Sequence, residues 1–335
     1  MTTGQVVTRK DLQNRFKIKD LGELMYFLGI EFSRSEKGIH MCQRKYTLEL
    51  LSETCLLGGK PALTPLEFNH KLTSIEFDKV FNKENLSDDR LLEDRSGYQR
   101  IVGRLLYLTM TKPDIAFVVQ VLGQFMHDPK QSHLDVAMRV IGYIKSNLVL
   151  GLFLPSTGSQ KLVAFCDSEW GACVEIRKSF TCYVVKFGDA LISWKSKKQG
   201  TVSRSSVEAE FRSMATTVAE IKWLVGLFKK LGVSVEFPVQ LHYDSKAAIQ
   251  ILAHPIFHER TKHIDIDYHF VREMIQEGMI QTQHVGTREQ LTDIFTKSLY
   301  IPQHDYLLCK LGMKSMFSSL SLRGSVEGIV VGSSS

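Results

Sequence analysis

The stretch KLVAFCDSEW, residues 161–170, predicts both the central strand of the fold and the first candidate site residue. Residues 162–166 form a continuous apolar run, which is typical of a central strand that is buried on both faces. Asp167 follows this run directly, although burying a charge without a partner is unfavourable. Two interpretations of Asp167 stay open at this point: a solvated aspartate at a strand end, or a carboxylate kept for chemistry.

The residues that follow predict an α/β fold with a mixed sheet. Further apolar or alternating runs predict four more strands, at 181–187, 190–194, 239–243 and 280–285. Helical patterns predict helices at 206–231, at 245–252, over a segment that ends at Gly278, and at 288–299. Three strands followed by alternating helices and strands make a five-stranded mixed sheet covered by helices.

The first half predicts a β-hairpin followed by helices. Two β-like runs, 26–32 and 38–42, flank a charged turn. Helical patterns follow at 45–55, at 98–109, from Pro113, and after Pro129 with Ser132 as the expected N-cap. The polar stretch 74–95 is interpreted as a loop or linker. We therefore divide the chain into residues 1–150, residues 151–300 with the mixed sheet, and residues 301–335, a C-terminal helix with a disordered tail.

The composition favours an intracellular globular protein with a polyanionic partner. The 335 residues suffice for two domains, and 44% hydrophobic with 23% charged residues is typical of soluble proteins. No apolar stretch approaches the roughly 20 residues that a membrane helix needs, and no signal peptide is evident. The six cysteines form no CxxC pair, so we expect reduced thiols. A net charge of +6 suits nucleic acid, and the location, cytoplasmic or nuclear, stays open.

A second unusual carboxylate lies in the predicted helix 206–231. Glu210 lies along a stripe with Val207 and Met214 that faces the core, where a carboxylate needs a charged partner. Glu208 has a simpler explanation, because Ser205 and Glu208 fit a capping box at the start of the helix. We therefore favour Glu210 over Glu208 as a site residue.

Asp244 and Asp293 complete the set of four acids. Asp244 closes the strand 239–243 and precedes a helix, where an N-cap is the simpler interpretation. Asp293 is flanked by core residues within 290–295, where an exposed helix position is the alternative. A shared cation explains four such acids most economically, since hard divalent ions prefer oxygen ligands and two of them can promote phosphodiester hydrolysis. The pattern predicts a metal-dependent nuclease.

At these residues the chain resembles a known family, the Pol polyproteins of plant copia-type LTR retrotransposons. It resembles their C-terminal part, the end of the reverse transcriptase followed by ribonuclease H, over about residues 11–312. The matching segments include KDLGELMYFLGIEF (19–32), YQRIVGRLLYLTMTKPDIAF (98–117), SWKSKKQGTVSRSSVEAEFRSMA (193–215), DSKAAI (244–249) and EQLTDIFTKSL (289–299).

The resemblance implies a fold, a reaction and a set of site residues. Residues 151–300 would form a ribonuclease H-like domain that cleaves the RNA strand of RNA–DNA hybrids, and residues 1–150 a remnant of the reverse-transcriptase thumb. The cofactor would be two Mg²⁺ ions, with Mn²⁺ as a substitute, and no small-molecule cofactor. The implied metal ligands are Asp167, Glu210, Asp244 and Asp293, with Asp167 shared between the two ions. Within the cytoplasm, a virus-like particle is the implied location.

The chain also departs from the family pattern. Cys182 stands where the family has a glycine, and a side chain there would strain the strand if the backbone required positive φ. The family's YVDD segment does not precede Lys19, so we expect a truncated element without polymerase activity. The alternatives are therefore a decayed relic that only binds nucleic acid, or a related integrase or transposase, which the preceding thumb segments disfavour.

A basic stretch next to Glu210 predicts phosphate contacts. It contains Lys195, Lys197, Lys198 and Arg204 and has no acidic residue. A solvated loop is the alternative interpretation. The expected partner is an RNA–DNA hybrid, no membrane is expected, and the oligomeric state stays open.

Overall fold

A computed structural model describes residues 22–56, 60–81, 89–253 and 265–315. The described residues contain ten strands: β1 (Tyr26–Phe27), β2 (Ile30–Ser35), β3 (Gly38–Cys42), β4 (Leu150–Pro155), β5 (Lys161–Glu169), β6 (Phe180–Phe187), β7 (Ala190–Lys198), β8 (Glu236–Tyr243), β9 (Ile280–His284) and β10 (Met313–Ser315). The predicted tail from residue 316 onward lies outside the described residues.

The same residues contain nine α-helices and several short 3₁₀ turns. The helices are α1 (Arg44–Glu53), α2 (Ile75–Phe81), α3 (Arg95–Leu108), α4 (Ala116–Leu122), α5 (Gln131–Ser146), α6 (Ser206–Lys230), α7 (Lys246–Ala253), α8 (Asp265–Gln276) and α9 (Ile301–Leu311). None of the helices in the described part of the chain is both long and apolar enough to cross a bilayer.

The second sheet, β5 to β9, confirms the five-stranded mixed sheet predicted from the sequence. Its order is β7-β6-β5-β8-β9, with β5, β6 and β7 antiparallel and β5, β8 and β9 parallel. Strand β5 therefore lies between an antiparallel neighbour, β6, and a parallel neighbour, β8. Because β5 and β8 are parallel neighbours, their carboxyl ends meet at one edge of the sheet.

Strand β5 is central and covered on both faces, as its continuous apolar run predicts. Leu162, Ala164 and Cys166 are buried in a core that includes α6, the longest described helix. Phe165 packs against a second core with residues of β6 and of the segment 291–311. Helix α6 begins after the N-cap Ser205 and is followed by Gly232 with φ of +72°, as predicted. Two packed faces therefore fix the direction in which β5 presents Asp167.

The first sheet, β1 to β4 with β10, is antiparallel throughout and larger than the predicted hairpin. Strand β4 pairs with β3, and β10 pairs with β4. Strand β4 begins at Leu150, so the predicted domain boundary at 150 coincides with a strand of the first sheet. The division into three domains stays a prediction. Helices α1, α3, α4 and α5 share a separate core beside this sheet.

Three local predictions are wrong. The predicted helix at 288–299 is instead two 3₁₀ turns, Thr287–Glu289 and Leu291–Phe295, because Gln290 between them has an extended backbone (ψ 105°). The stretch 74–95 contains α2, where the Ser74 hydroxyl accepts a hydrogen bond from the Phe77 amide. Ser132 is not the N-cap of α5; Lys130 is, and the Ser132 hydroxyl donates to Asp89.

Candidate active site

The structure places the four predicted acids around one edge of the second sheet. Asp167 is near the end of β5, and Asp244 directly follows β8. Phe165 and His242 are register partners on these parallel strands, so Asp167 and Asp244 lie two residues further along neighbouring strands. Glu210 is in the first turns of α6, which packs on this sheet, and Asp293 is in the 3₁₀ turn Leu291–Phe295.

Electrostatic coupling shows that these carboxylates share one environment. Burial, and next the charge of Asp244, raise the pKa of Asp167 to about 7; Asp293 adds to the rise, and Lys297 opposes it. Burial likewise raises the pKa of Asp293, with Lys297 opposing the rise and Asp244 adding to it. Neighbouring like charges penalise the ionised form, so these acids are close enough to repel one another.

Glu210 completes this acidic group from the helix side. Burial raises its pKa, a hydrogen bond with Ser245 opposes the rise, and Asp244 adds to it. Its Oε2 atom is buried and has no hydrogen-bond partner among the described residues. A buried carboxylate oxygen without a partner is unfavourable, and a cation would satisfy it.

Glu208, two residues earlier, is engaged instead in the start of α6. Its Oε2 accepts from the Arg204 amide at 2.7 Å, and its Oε1 pairs with Arg212 at 2.6 Å. The Ser205 hydroxyl accepts from the Glu208 amide at 3.2 Å, so one half of the predicted capping box is present. In a complete capping box the Glu208 carboxylate would accept from the Ser205 amide. Here it accepts from the Arg204 amide instead. The choice of Glu210 over Glu208 stays a prediction.

Sequence reasoning missed two charged residues of the site. Lys297 Nζ lies 3.0 Å from Asp293 Oδ1 and 4.0 Å from Glu169 Oε2. Glu169 is a fifth carboxylate in the acidic group, because burial raises its pKa, Lys297 opposes the rise, and Asp293 and Asp244 add to it. The spacing of both residues in the sequence could have indicated that they lie near the site. Glu169 follows Asp167 by two residues on one strand, and Lys297 follows Asp293 by four.

Hydrogen bonds to the backbone hold Asp167 in place. Its carbonyl oxygen accepts from the Ser213 hydroxyl of α6 at 2.6 Å and from the Cys182 thiol of β6 at 3.3 Å. Cys182 is fully buried and is the register partner of Asp167, and its φ is not positive. The predicted strain at Cys182 is therefore absent. Its thiol anchors the strand that carries Asp167.

The side chains of the four acids fit a hard divalent cation by their chemistry. All are carboxylates, the ligand type that Mg²⁺ and Mn²⁺ prefer, and Glu210 Oε2 lacks a partner. Across residues 22–56, 60–81, 89–253 and 265–315, no three His, Cys, Asp or Glu side chains are grouped so as to hold a metal ion. Lys297 contacts Asp293 in this arrangement. Metal binding by the predicted ligand set stays a prediction.

The predicted phosphate contacts lie along β7 and the loop before α6. Lys197 and Arg204 are exposed, while Lys195 lies 5.9 Å from the centre of the Tyr183 ring. Lys198 has a structural contact, since its ammonium donates to Gln124 Oε1 of the helical region at 2.7 Å. A role of these four residues in nucleic-acid binding stays a prediction.

Sequence comparison finds relatives that share most of this chain. It is 39% identical over 306 residues to the retrovirus-related Pol polyprotein from transposon RE1 of Arabidopsis thaliana, covering 91% of this chain and 20% of that protein. The identity is 40% over 288 residues to the corresponding RE2 polyprotein, covering 86% and 19%. An uncharacterised mitochondrial protein of Arabidopsis thaliana is 36% identical over 214 residues, covering 63% of this chain and 83% of that protein. The chain spans about one fifth of the length of the two polyproteins.

Comparison with solved structures finds ribonucleases H. The compost ribonuclease LC11-RNase H1 covers 46% of this chain and 96% of its own, with 10% identity and a TM-score of 0.30. The N-terminal RNase H domain of Rv2228c from Mycobacterium tuberculosis covers 44% and 96%, with 15% identity and a TM-score of 0.31. No family model matches the chain. The assignment of a mixed α/β fold rests on the strand order of the second sheet and not on these distant alignments.

Proposed function

The chain belongs to the copia-type retrovirus-related Pol polyproteins of plant transposons, and from that membership we propose that it is a metal-dependent ribonuclease H. Its substrate would be an RNA–DNA hybrid, of which it hydrolyses the RNA strand. One observation carries the proposal: Asp167, Glu210, Asp244 and Asp293 lie around one edge of the second sheet, and the charge of Asp244 adds to the raised pKa of each of the other three.

These four carboxylates would hold Mg²⁺ or Mn²⁺. When bound, the ions would activate the attacking water and stabilise the leaving oxygen of the phosphodiester. The protein positions the ligands: two strand ends fix Asp167 and Asp244, α6 supplies Glu210, and the 3₁₀ turn supplies Asp293. Because the pKa of Asp167 is about 7, Asp167 must lose its proton to act as a ligand near neutral pH.

The basic residues beside α6 would contact the hybrid. Lys197 of β7 and Arg204 in the loop before α6 are both exposed. Contacts of this kind bind the phosphate backbone without reading sequence. Discrimination of RNA from DNA would rest on the 2′-hydroxyl groups in the wide, shallow minor groove of the hybrid.

Glu210→Gln tests the proposal most directly. The substitution keeps the shape of the side chain but replaces the carboxylate, so we expect cleavage of a labelled RNA–DNA hybrid in Mg²⁺ to be abolished. Binding of the hybrid, measured in EDTA by fluorescence anisotropy, should remain close to that of the wild type. Glu208→Gln is the matched control on the same helix, and it should still cleave.

The outcomes separate a nuclease from a protein that only binds nucleic acid. Wild-type cleavage that requires Mg²⁺ and stops in EDTA supports the nuclease. Tight binding of the hybrid by the wild type without any cleavage would favour the binding function instead. Loss of activity in Glu208→Gln but not in Glu210→Gln would reverse the assignment of the ligand.

A further inference from the structure

A lysine lies inside the acidic site. The Lys297 ammonium is 3.0 Å from Asp293 Oδ1 and 4.0 Å from Glu169 Oε2, and it also lowers the pKa of Asp167. Its side chain is 35% exposed and that of Asp293 is 7% exposed. Although burial lowers the pKa of Lys297, the surrounding carboxylates raise it, so the ammonium remains charged. Lys297 is therefore a permanent positive charge at the candidate metal site.

The carboxylates outnumber this lysine. The charges of Asp244 and Asp293 act on both Asp167 and Glu169, and that of Asp244 also acts on Glu210. A buried carboxylate that loses its cationic partner destabilises a fold. In the metal-free protein the cation in contact with Asp293 is Lys297. A divalent ion bound by Asp293 would compete with the Lys297 ammonium for the carboxylate oxygen atoms of Asp293.

We propose that Lys297 is a resident counter-cation, which holds Asp293 in the metal-free protein and releases it when a divalent ion binds. The proposal rests on the proposed function, because it takes the acids to be metal ligands. Lys297 is a positioning residue in this scheme. The ammonium and the metal compete for one carboxylate, so the lysine weakens metal binding and keeps the empty site folded.

The competition follows from the contact itself, because Asp293 Oδ1 lies 3.0 Å from the Lys297 ammonium. A metal ligand cannot keep that contact and bind a divalent ion through the same oxygen atom. Asp293 should join the other ligands only after its bond to Lys297 breaks.

Metal titration of the full chain tests this proposal. Isothermal titration calorimetry with Mn²⁺ compares the wild type with Lys297→Gln, which removes the charge, and Lys297→Arg, which keeps it. We expect Lys297→Gln to bind Mn²⁺ about tenfold more tightly, because a competing charge has been removed. Lys297→Arg should bind no more tightly than the wild type. Lys310→Gln is the matched control, since Lys310 lies over the Tyr306 ring on α9 and contacts none of the acids.

A stability measurement supplies an independent readout. In EDTA, Lys297→Gln should unfold at a lower temperature than the wild type, and added Mn²⁺ should remove most of that difference. Unchanged or weaker Mn²⁺ affinity in Lys297→Gln would overturn the proposal. Failure of that variant to fold even in saturating Mn²⁺ would overturn it as well, because the metal would then not replace the ammonium.

Asp167→Asn distinguishes failure of this inference from failure of the proposed function. If Asp167→Asn leaves the Mn²⁺ isotherm of Lys297→Gln unchanged, the metal binds elsewhere, and the competition proposal is overturned. If Lys297→Gln gains affinity that depends on Asp167 while the wild type cleaves no hybrid, the counter-cation role stands and the ribonuclease function fails.

Discussion

Two lysines of this protein lie among carboxylates, one in each half of the chain. Lys130 lies between Asp78 and Asp89, with Nζ 2.5 and 2.7 Å from their oxygen atoms, and its side chain is only 3% exposed. Lys297 lies among the acids of the second sheet at 3.0 and 4.0 Å, and is 35% exposed. Each site contains one ammonium, but only the second contains more than two carboxylates.

The pKa values of the acids show what this difference means. Burial raises the pKa of Asp89, yet hydrogen bonds from Lys130 and Ser132 outweigh it and hold that pKa below its ordinary value. At Asp293 the balance is reversed, since burial outweighs Lys297 and the pKa is raised. Lys130 therefore favours the ionised form of Asp89 and stabilises the fold. The Lys297 site retains negative charge, which is the condition for binding a further cation.

The largest effect should come from breaking the Lys130 site. Lys130→Met leaves both Asp78 and Asp89 without their cation, and we expect a loss of about 5 kcal/mol in the free energy of unfolding. We expect no metal to replace the ammonium there, so the loss should be equal in EDTA and in Mg²⁺. Urea denaturation in both buffers measures it. A loss that Mg²⁺ recovers would place metal chemistry at Lys130 and remove the contrast with Lys297.

A second prediction concerns Asp167 and pH. The pKa of Asp167 in the folded protein is about 7, above its ordinary value of 3.8, so the folded state binds this proton more tightly than the unfolded state. Its contribution to stability is full below about pH 4 and is lost as the pH rises through about 7. The side chain of Asp167→Asn does not ionise, so this variant lacks the pH-dependent contribution of Asp167 to stability.

In EDTA we therefore expect Asp167→Asn to become more stable relative to the wild type as the pH rises from 4 to 8. The gain should be on the order of 4 kcal/mol, since the pKa is raised by about three units and one unit corresponds to about 1.4 kcal/mol. Chemical denaturation at several pH values measures the difference between the two proteins. A difference that stays flat between pH 4 and pH 8 would show that Asp167 is not held in an acidic, buried environment.

The sequence predicted the elements whose pattern is local. The apolar run 162–166 predicted β5, and Ser205 with Gly232 predicted both ends of α6, because capping and burial patterns are written in adjacent residues. These elements carry Asp167 and Glu210, and the run 239–243 likewise predicted β8, which Asp244 directly follows.

Tertiary contacts determined the elements and site residues that local sequence patterns did not predict. Strand β10 has three residues and exists through its pairing with β4, more than 150 residues away in the chain. The Gln290 side chain donates to the Cys166 carbonyl at 3.1 Å, and its extended backbone separates two turns in a segment with a helical pattern. Lys297 and Glu169 are spaced by four and by two residues from Asp293 and Asp167, but that spacing alone is common among surface residues, and their contacts in the fold identify them as site residues.

The smallest expected effect separates the two glutamates of α6. Glu208→Gln keeps an oxygen that can accept from the Arg204 amide but loses the charge that pairs with Arg212. We expect a loss of about 1 kcal/mol in the free energy of unfolding, the usual scale of a helix cap. Ser205→Ala removes the hydroxyl that accepts from the Glu208 amide and should have a similar effect, which thermal or urea denaturation measures.

Glu210 should respond in the opposite way, because its buried Oε2 has no hydrogen-bond partner among the described residues. Glu210→Gln removes a repelling charge near Asp244, so in EDTA its stability should equal or slightly exceed that of the wild type. Mg²⁺ should stabilise the wild type and Glu208→Gln, but stabilise Glu210→Gln much less. An equal response to Mg²⁺ in both variants would mean that the first turns of α6 supply only stability, and that the excess negative charge of the second sheet does not extend to the helix.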